Sequence, residues 1–348
     1  MPVESCCSAN SLDANQKHPI IDCSALISKQ FKGDEKQQIL NQILEAVQKR
    51  GYFYAKGVPS MPDAYIKSVH QYLKEVHSLP VEVKKNFVKP NGTYTGLDLG
   101  KEYAEHDYVQ GTTSSVRSWD YSRSRSCEGK GNQYPAKDIV SKSFEVFLDD
   151  LYERQNALGS ALMTAFAEML DLPSDTFNKH YTAGDLGTIR LLFYPGMENN
   201  SQEIVDDGIS AHTDFEAFTL MHQDAPGLQF MSPESGEWID APVREGEFVV
   251  ILGDVMERFT NGVLKATPHR VVKTRHSRSS IIRFNAVEED TLIAPLEKFG
   301  TPLYTPVTMK EHMETTMRNL ELGHGAWDPI KKCSKTATYV YSHPQQEE

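Results

Sequence analysis

Between residues 188 and 287 the sequence breaks into short β-rich runs: TIRLLFY (188–194), FTLMH (218–222), LQFM (228–231), EFVVIL (247–252), HRVVK (269–273) and SIIRFNAV (280–287). Glycines and prolines punctuate the segments between them. Short strands with turn signals between them must close on themselves or pack as two sheets, so this part of the chain is limited to a barrel or jelly roll. The part before it has a different period. Ile39, Leu40, Ile43, Leu44 and Val47 recur at helical spacing and predict a helix from Glu35 to Arg50, stopped by Gly51. Residues 18–27 read as a short strand and turn, and YFYAKGV (52–58) as a strand. A second helix is expected over 63–77, and Pro80 suits the first turn of another. Phe144, Phe147, Leu148, Leu151, Leu158, Leu162 and Phe166 mark one side of a long helix over 138–170. Ser174 predicts the N-cap of a short helix after Pro173.

The resulting plan is one structural unit in several regions. Residues 1–17 form a flexible tail, and 18–180 an N-terminal mixed α/β region. Within it, 91–135 has little periodicity and is read as a lid loop. Residues 185–300 form the β core, and 301–348 a C-terminal helix (308–322) and tail.

A formal net charge of −12 argues against a nucleic-acid partner, because that binding depends on Lys and Arg neutralising phosphates. The basic stretch Lys84, Lys85 and Lys89 is read as a solvated helix end. Five scattered cysteines make neither a disulfide framework nor a C-x-x-C zinc pair, so a reducing, cytoplasmic setting is expected. No signal peptide or membrane span is expected. A monomer or weak homo-oligomer is expected.

Two imidazoles and a carboxylate on one face, with other positions open, form the donor set of mononuclear non-haem iron(II) centres. With twelve histidines and 48 acidic residues, H-x-D or H-x-E alone carries little weight. The pattern occurs at His212-Thr213-Asp214, His222-Gln223-Asp224 and His312-Met313-Glu314. Only the first lies just ahead of an apolar strand and 57 residues before His269, which opens a strand of its own. His222 is read as a structural residue in its strand, and His312 as a surface residue of the C-terminal helix. Nine residues past His269 stands Arg278, followed by Ser280.

This combination resembles the isopenicillin N synthase-like family of iron(II)/2-oxoglutarate-dependent dioxygenases, whose pattern is H-x-D, a distal H, then R-x-S. GDVMERFTNGVLKATPHRVV (253–272) is similar to the family's run before the distal histidine. PIIDCSAL, RGYFYAKGVP and LPVEVKKNF resemble its N-terminal region. The resemblance spans residues 18–320. It implies an α+β fold with a double-stranded β-helix (jelly-roll) core. It also implies His212, Asp214 and His269 as metal ligands and as the catalytic centre. Arg278 and Ser280 become the partners of the 2-oxoglutarate distal carboxylate, with Tyr194 adding its hydroxyl. A guanidinium is the side chain best shaped for that carboxylate. Iron(II), 2-oxoglutarate and O2 are the implied cofactors, with ascorbate as a reductant. The chain departs from the family at Leu192 and Ile251, where Asn is common, and at Arg283, where Phe is common.

The implied reaction is oxidation of a C–H bond in a small polar metabolite, a carboxylate or amino-acid derivative, with release of succinate and CO2. Desaturation, oxidative cyclisation in specialised metabolism, and oxidation without 2-oxoglutarate use the same ligands. A non-catalytic jelly-roll binding protein would have lost a ligand, and a zinc hydrolase gives Arg278 and Ser280 no role. Ile282 and Phe284 share the strand face of Arg278 and Ser280 by period-2 counting. Together with Arg190, Tyr94, Arg117 and Trp119, they are the candidate substrate contacts. YTGLDLGKEY (94–103) is similar to the lid of the family branch that includes pyrimidine hydroxylases and the ethylene-forming enzyme.

Overall fold

A computed structural model of the 348-residue chain describes residues 18–89, 95–99, 116–123, 134–182, 184–196, 207–272, 275–321, 327–328 and 333–334. Its main strands are β1 (Ile20–Asp22), β2 (Tyr52–Lys56), β3 (Gly96–Asp98), β4 (Arg117–Tyr121), β5 (Thr188–Tyr194), β6 (Asp207–His212), β7 (Phe218–Gln223), β8 (Leu228–Met231), β9 (Trp238–Asp240), β10 (Phe248–Leu252), β11 (His269–Val272) and β12 (Arg278–Asn285). The helices are α1 (Ser24–Ser28), α2 (Glu35–Lys49), α3 (Asp63–Ser78), α4 (Val81–Lys84), α5 (Phe144–Glu168), α6 (Asp254–Phe259) and α7 (Met309–Glu321).

The strands make two sheets. An eight-stranded sheet runs β1-β2-β10-β7-β12-β5-β4-β3, and a four-stranded sheet runs β6-β11-β8-β9. Only β1 and β2 pair in parallel; the other pairs in these two sheets are antiparallel. The sheets face each other across an apolar interior built from both, including Tyr52, Tyr54, Leu192, Met221, Leu228, Phe230, Val271 and Ile282. Tyr52 of β2 stacks on Phe230 of β8 with ring centroids 3.8 Å apart. This is the expected jelly roll.

A second core lies on the outer face of the large sheet, under α2, α3 and α5. Because both faces are covered, β7 and β10 are buried at every position, and EFVVIL therefore reads as a continuous apolar run rather than an alternating one. The long helix buries the expected stripe but begins at Phe144, after turns over 138–143. Among the described residues no helix is long and apolar enough to cross a membrane.

Three local expectations fail. The 91–135 stretch is not simply a loop, because β3 and β4 extend the large sheet within it; residues 91–94, 100–115 and 124–133, Tyr94 among them, lie outside the described residues. The strand RSWDY escaped notice because it is short and one of its faces mixes a charged Arg117 with Trp119 and Tyr121, which blurs the apolar/polar alternation. The helix expected after Pro173 is a series of turns ending in a 3-10 turn over Asn178–His180. The basic stretch is not a solvated helix end. Lys84 is 3% exposed and donates to the His77 carbonyl (3.0 Å), while Lys89 pairs with Asp98 (3.2 Å) and Asp120 (3.4 Å).

Strands from both sides of the 180/185 line pair with each other, β2 with β10 and β4 with β5. The N-terminal region therefore supplies part of the barrel wall as well as its helical cover.

Candidate active site

His212 ends β6 and His269 begins β11, and the two are direct cross-strand partners. Antiparallel pairing sends facing residues to the same side, so the rings meet with centroids 4.3 Å apart. Each ring is fixed by its far nitrogen. His212 Nδ1 donates to the Ser210 carbonyl (2.8 Å) and His269 Nδ1 to the Thr267 carbonyl (3.0 Å). Both Nε2 lone pairs therefore point inward, the tautomer a metal requires. Asp214, on the turn into β7, uses Oδ2 to accept from the Thr219 hydroxyl and aims Oδ1 at the two rings, 3.7 Å from His212 Nε2 and 3.6 Å from His269 Nε2. All three ligand atoms lie within 4.8 Å of one another, and no other such cluster occurs among the described residues. Burial, reinforced by His269, pushes the His212 imidazole down to about 4, so it stays a neutral donor.

The turn that carries Asp214 is held from several directions. The Asp254 and Val255 amides at the start of α6 donate to the Asp214 and Glu216 carbonyls (2.9 and 3.2 Å). Nε2 of His312 on α7 donates to the Phe215 carbonyl (2.9 Å). His312 is thus fully buried, not on the surface; from the sequence its helix reads as a terminal one with no partner in view. Gly253 comes so close that a Cβ there would sit 2.2 Å from the Glu216 carbonyl.

The inner face of β12 presents Arg278, Ser280, Ile282 and Phe284, opposite Tyr194, Leu192, Arg190 and Thr188 of β5. The Arg278 guanidinium lies over the Tyr194 ring, 4.5 Å from its centroid. Its Nε donates to the Ala225 carbonyl (3.2 Å) and Nη2 to Gln223 Oε1 (2.8 Å). Nη1 of Arg278 and Oγ of Ser280 are buried without a partner. An unmet buried donor is costly, and a charged one more so. Two such donors on one strand face, with the rest of the fork already engaged, suit the carboxylate of a bound acid. The donor set, whose two histidines the small sheet carries, and these orphaned groups on the inner face of β12 in the large sheet fit iron(II) and a 2-oxo acid.

The other candidates divide. Arg190 is inside the barrel, with Nε and Nη2 bound to the two oxygens of Asp120 (2.7 and 3.0 Å) and its guanidinium 5.3 Å from the Phe284 ring centroid. Burial alone would raise the Asp120 carboxyl, but Arg190 and Lys89 bring it below its ordinary range. Asp120 is 1% exposed, whereas the Arg190 side chain is 37% exposed. Sequence reasoning missed Asp120, because the strand goes unrecognised and Trp119, its neighbour on the opposite face, reads as the inward residue. By period-2 counting along β4, Arg117 and Trp119 face outward. Trp119 packs on Phe87 and Phe144 in the outer core, and neither residue reaches the barrel interior. Their expected substrate role is withdrawn.

Comparison with known proteins agrees with this geometry. The 2OG-Fe(II) oxygenase superfamily matches residues 186–286, and the N-terminal region of non-haem dioxygenases in morphine synthesis matches residues 18–134. The 2-oxoglutarate-Fe(II) type oxidoreductase hxnY of Emericella nidulans is 30% identical, over 84% of this chain and 87% of that protein. A homoarginine-6-hydroxylase of Glycine max is 27% identical over 81% of this chain and 89% of its own length. A 1-aminocyclopropane-1-carboxylate oxidase of Dictyostelium mucoroides is 26% identical over 78% and 80%. In fold, the chain is similar to a full-length Neurospora crassa protein crystallised in complex with alpha-KG, with a TM-score of 0.75 and 24% identity, covering 87% of this chain and 95% of that one.

Proposed function

The chain belongs to the 2-oxoglutarate–iron(II) oxygenases, and on that footing we propose that it oxidises a C–H bond of a small substrate carrying a carboxylate or similar acceptor group. Bound iron(II), 2-oxoglutarate and O2 supply the oxidising chemistry, with the keto acid leaving as succinate and CO2. His212, Asp214 and His269 hold the metal on one face. Arg278 Nη1 and Ser280 Oγ receive the distal carboxylate of 2-oxoglutarate, with Gln223 and Ala225 fixing the guanidinium and Tyr194 supporting it from below. Ile282 and Phe284 line the space between and keep water out. The observation that carries this reading is that the three-ligand cluster and the orphaned Arg278–Ser280 donors share the interior of one barrel.

Arg190 supports the acceptor-group substrate. One edge of its guanidinium is fixed by buried Asp120, and the side chain stays 37% exposed beside Phe284, so an acceptor group can reach it. The amino-acid substrates in the names of the Glycine max and Dictyostelium relatives agree with such a substrate.

Anaerobic reconstitution tests the reading. Iron(II) with 2-oxoglutarate is expected to give a weak visible band near roughly 500–530 nm, as a keto acid chelating a ferrous centre left open by three protein ligands does. His212→Ala abolishes it, and Arg278→Ala demands far more 2-oxoglutarate to reach it. A His212→Ala protein with full activity would sink the ligand assignment. Arg190→Ala raises the KM for the oxidised substrate and leaves that for 2-oxoglutarate alone; an unchanged substrate KM removes the acceptor-group reading.

A further inference from the structure

The strand that carries Arg278 and Ser280 has a second, outward-facing set of contacts. Pairing of β12 with β7 begins at Ser280 and does not reach Ser279. Where β7 peels away, the Asp224 carboxylate takes over. Its Oδ1 accepts from the Ser279 amide (2.6 Å), its Oδ2 from the Ser279 hydroxyl (2.6 Å), and the Asp224 amide donates to the Ser279 carbonyl (3.1 Å). Lys74 of α3 pairs with the same Oδ2 (2.8 Å). His70, also on α3, places Nδ1 2.8 Å from Ser279 Oγ and Nε2 2.8 Å from Nδ1 of His222.

The proton positions in this chain follow from its chemistry. A carboxylate only accepts, so the Ser279 hydroxyl proton goes to Asp224 and Oγ must accept from His70 Nδ1–H. His70 Nε2 is then a lone pair and accepts from His222 Nδ1–H. Every hydrogen bond points toward Asp224, and His222 Nε2 ends the chain as a buried lone pair with no partner. The segment 222–225 therefore grips β12 from both faces. Gln223 and Ala225 hold the Arg278 guanidinium inside, while Asp224 holds Ser279 outside and His222 backs the His70 ring that contacts it.

We propose that Ser279, Asp224 and the His70–His222 pair form a positioning network for the co-substrate carboxylate site, fixing the backbone between Arg278 and Ser280 from the outer face of the barrel. These residues do not touch the co-substrate. They set the spacing of the two donors that do, and small errors in such spacing are costly. The inference rests on the reading of Arg278 and Ser280 given above.

The test is titration of the full-length iron(II) protein with 2-oxoglutarate under argon, read by the visible band, together with succinate release against 2-oxoglutarate concentration. Ser279→Ala and His70→Leu are each expected to weaken 2-oxoglutarate binding about tenfold. Iron affinity and the rate at saturating 2-oxoglutarate are expected to stay within about twofold of wild type. Ser279→Thr keeps the hydroxyl, adds only a methyl, and should restore binding relative to Ser279→Ala, so the pair is informative even if His70→Leu folds poorly. Arg278→Ala separates the two levels of the argument. If it binds 2-oxoglutarate like wild type, the co-substrate site itself is misassigned. If it loses binding while Ser279→Ala and His70→Leu bind normally, the positioning network is overturned and the site stands. Parallel loss of iron affinity, maximal rate and 2-oxoglutarate affinity in those variants would also overturn it, since that pattern reports general damage.

Discussion

Single residues in this protein are decided by what neutralises them. Arg283, which departs from the family pattern, is fully buried on the outer face of β12 and binds both oxygens of Asp185 (3.2 and 3.0 Å). Its guanidinium also lies 4.1 Å from the Tyr152 ring centroid, and the Tyr152 hydroxyl donates to Asp185 (2.5 Å). Asp185→Ala would strand that cation, at a cost of about 3–5 kcal/mol in a denaturant titration; a change below about 1 kcal/mol would show that water reaches the site. His77 on α3 is the neutral counterpart. Its Nε2 donates to the Leu191 carbonyl (3.0 Å), and burial pushes its imidazole down to about 3 despite that bond. The unfolded chain binds a proton below its ordinary value of 6.5 while the folded chain does not. Stability is therefore complete above about 6.5 and falls as pH drops toward about 3, by on the order of 5 kcal/mol from this residue. Unfolding curves between about pH 7.5 and 4.5 are expected to show the decline, and His77→Phe to make it shallower, since buried His70, His222 and His312 contribute in the same direction; an equal slope in the variant would assign the loss elsewhere.

At the level of elements, the metal turn is built by helices that contribute no ligand. The start of α6, Gly253 just before it, and His312 on α7 all converge on residues 214–216. The Gly253 amide also donates to the Ala217 carbonyl (3.0 Å), so its backbone cannot retreat from the Glu216 carbonyl without breaking that bond. Gly253→Ala is expected to displace the turn and weaken iron(II) binding by about tenfold or more, while the rest of the barrel melts normally. Iron affinity equal to wild type would mean that the turn relaxes without moving Asp214. The helix α7 thus serves the site structurally, through the His312 hydrogen bond to the Phe215 carbonyl.

Across the whole molecule, folding and loading are coupled, because the ligand cluster and the orphaned Arg278 and Ser280 donors exist only in the folded state. A ligand that binds only the native protein adds about 2.7 kcal/mol of stability at a hundred times its dissociation constant. The unfolding midpoint is accordingly expected to rise with iron(II) and 2-oxoglutarate together and to fall on adding a chelator. Identical midpoints with and without the chelator would argue against a site closed around the metal.

The β core, its long helical cover, the choice of His212 over His222 and His312, and the Arg278–Ser280 pair were all legible in the linear sequence. Periodicity marks the β core and the helical cover, while the ligand set and the Arg278–Ser280 pair are picked out by motifs that resemble the family's, and such linear patterns survive in the absence of a fold. Which charges are interior was settled by packing alone. Asp120 meets Arg190 across 70 positions, Lys89 meets Asp120 across 31, and Asp185 meets Arg283 across 98. Asp120, Lys89 and Asp185 look like solvated surface in a linear reading, and nothing there pairs them with Arg190 or Arg283. Strand pairing also turned Trp119 outward, and helix packing buried His312 and linked His70 to His222. A charge or an imidazole enters a protein interior only beside a partner, and for these residues the partner is supplied by a distant segment that only the packed sheets and helices bring near.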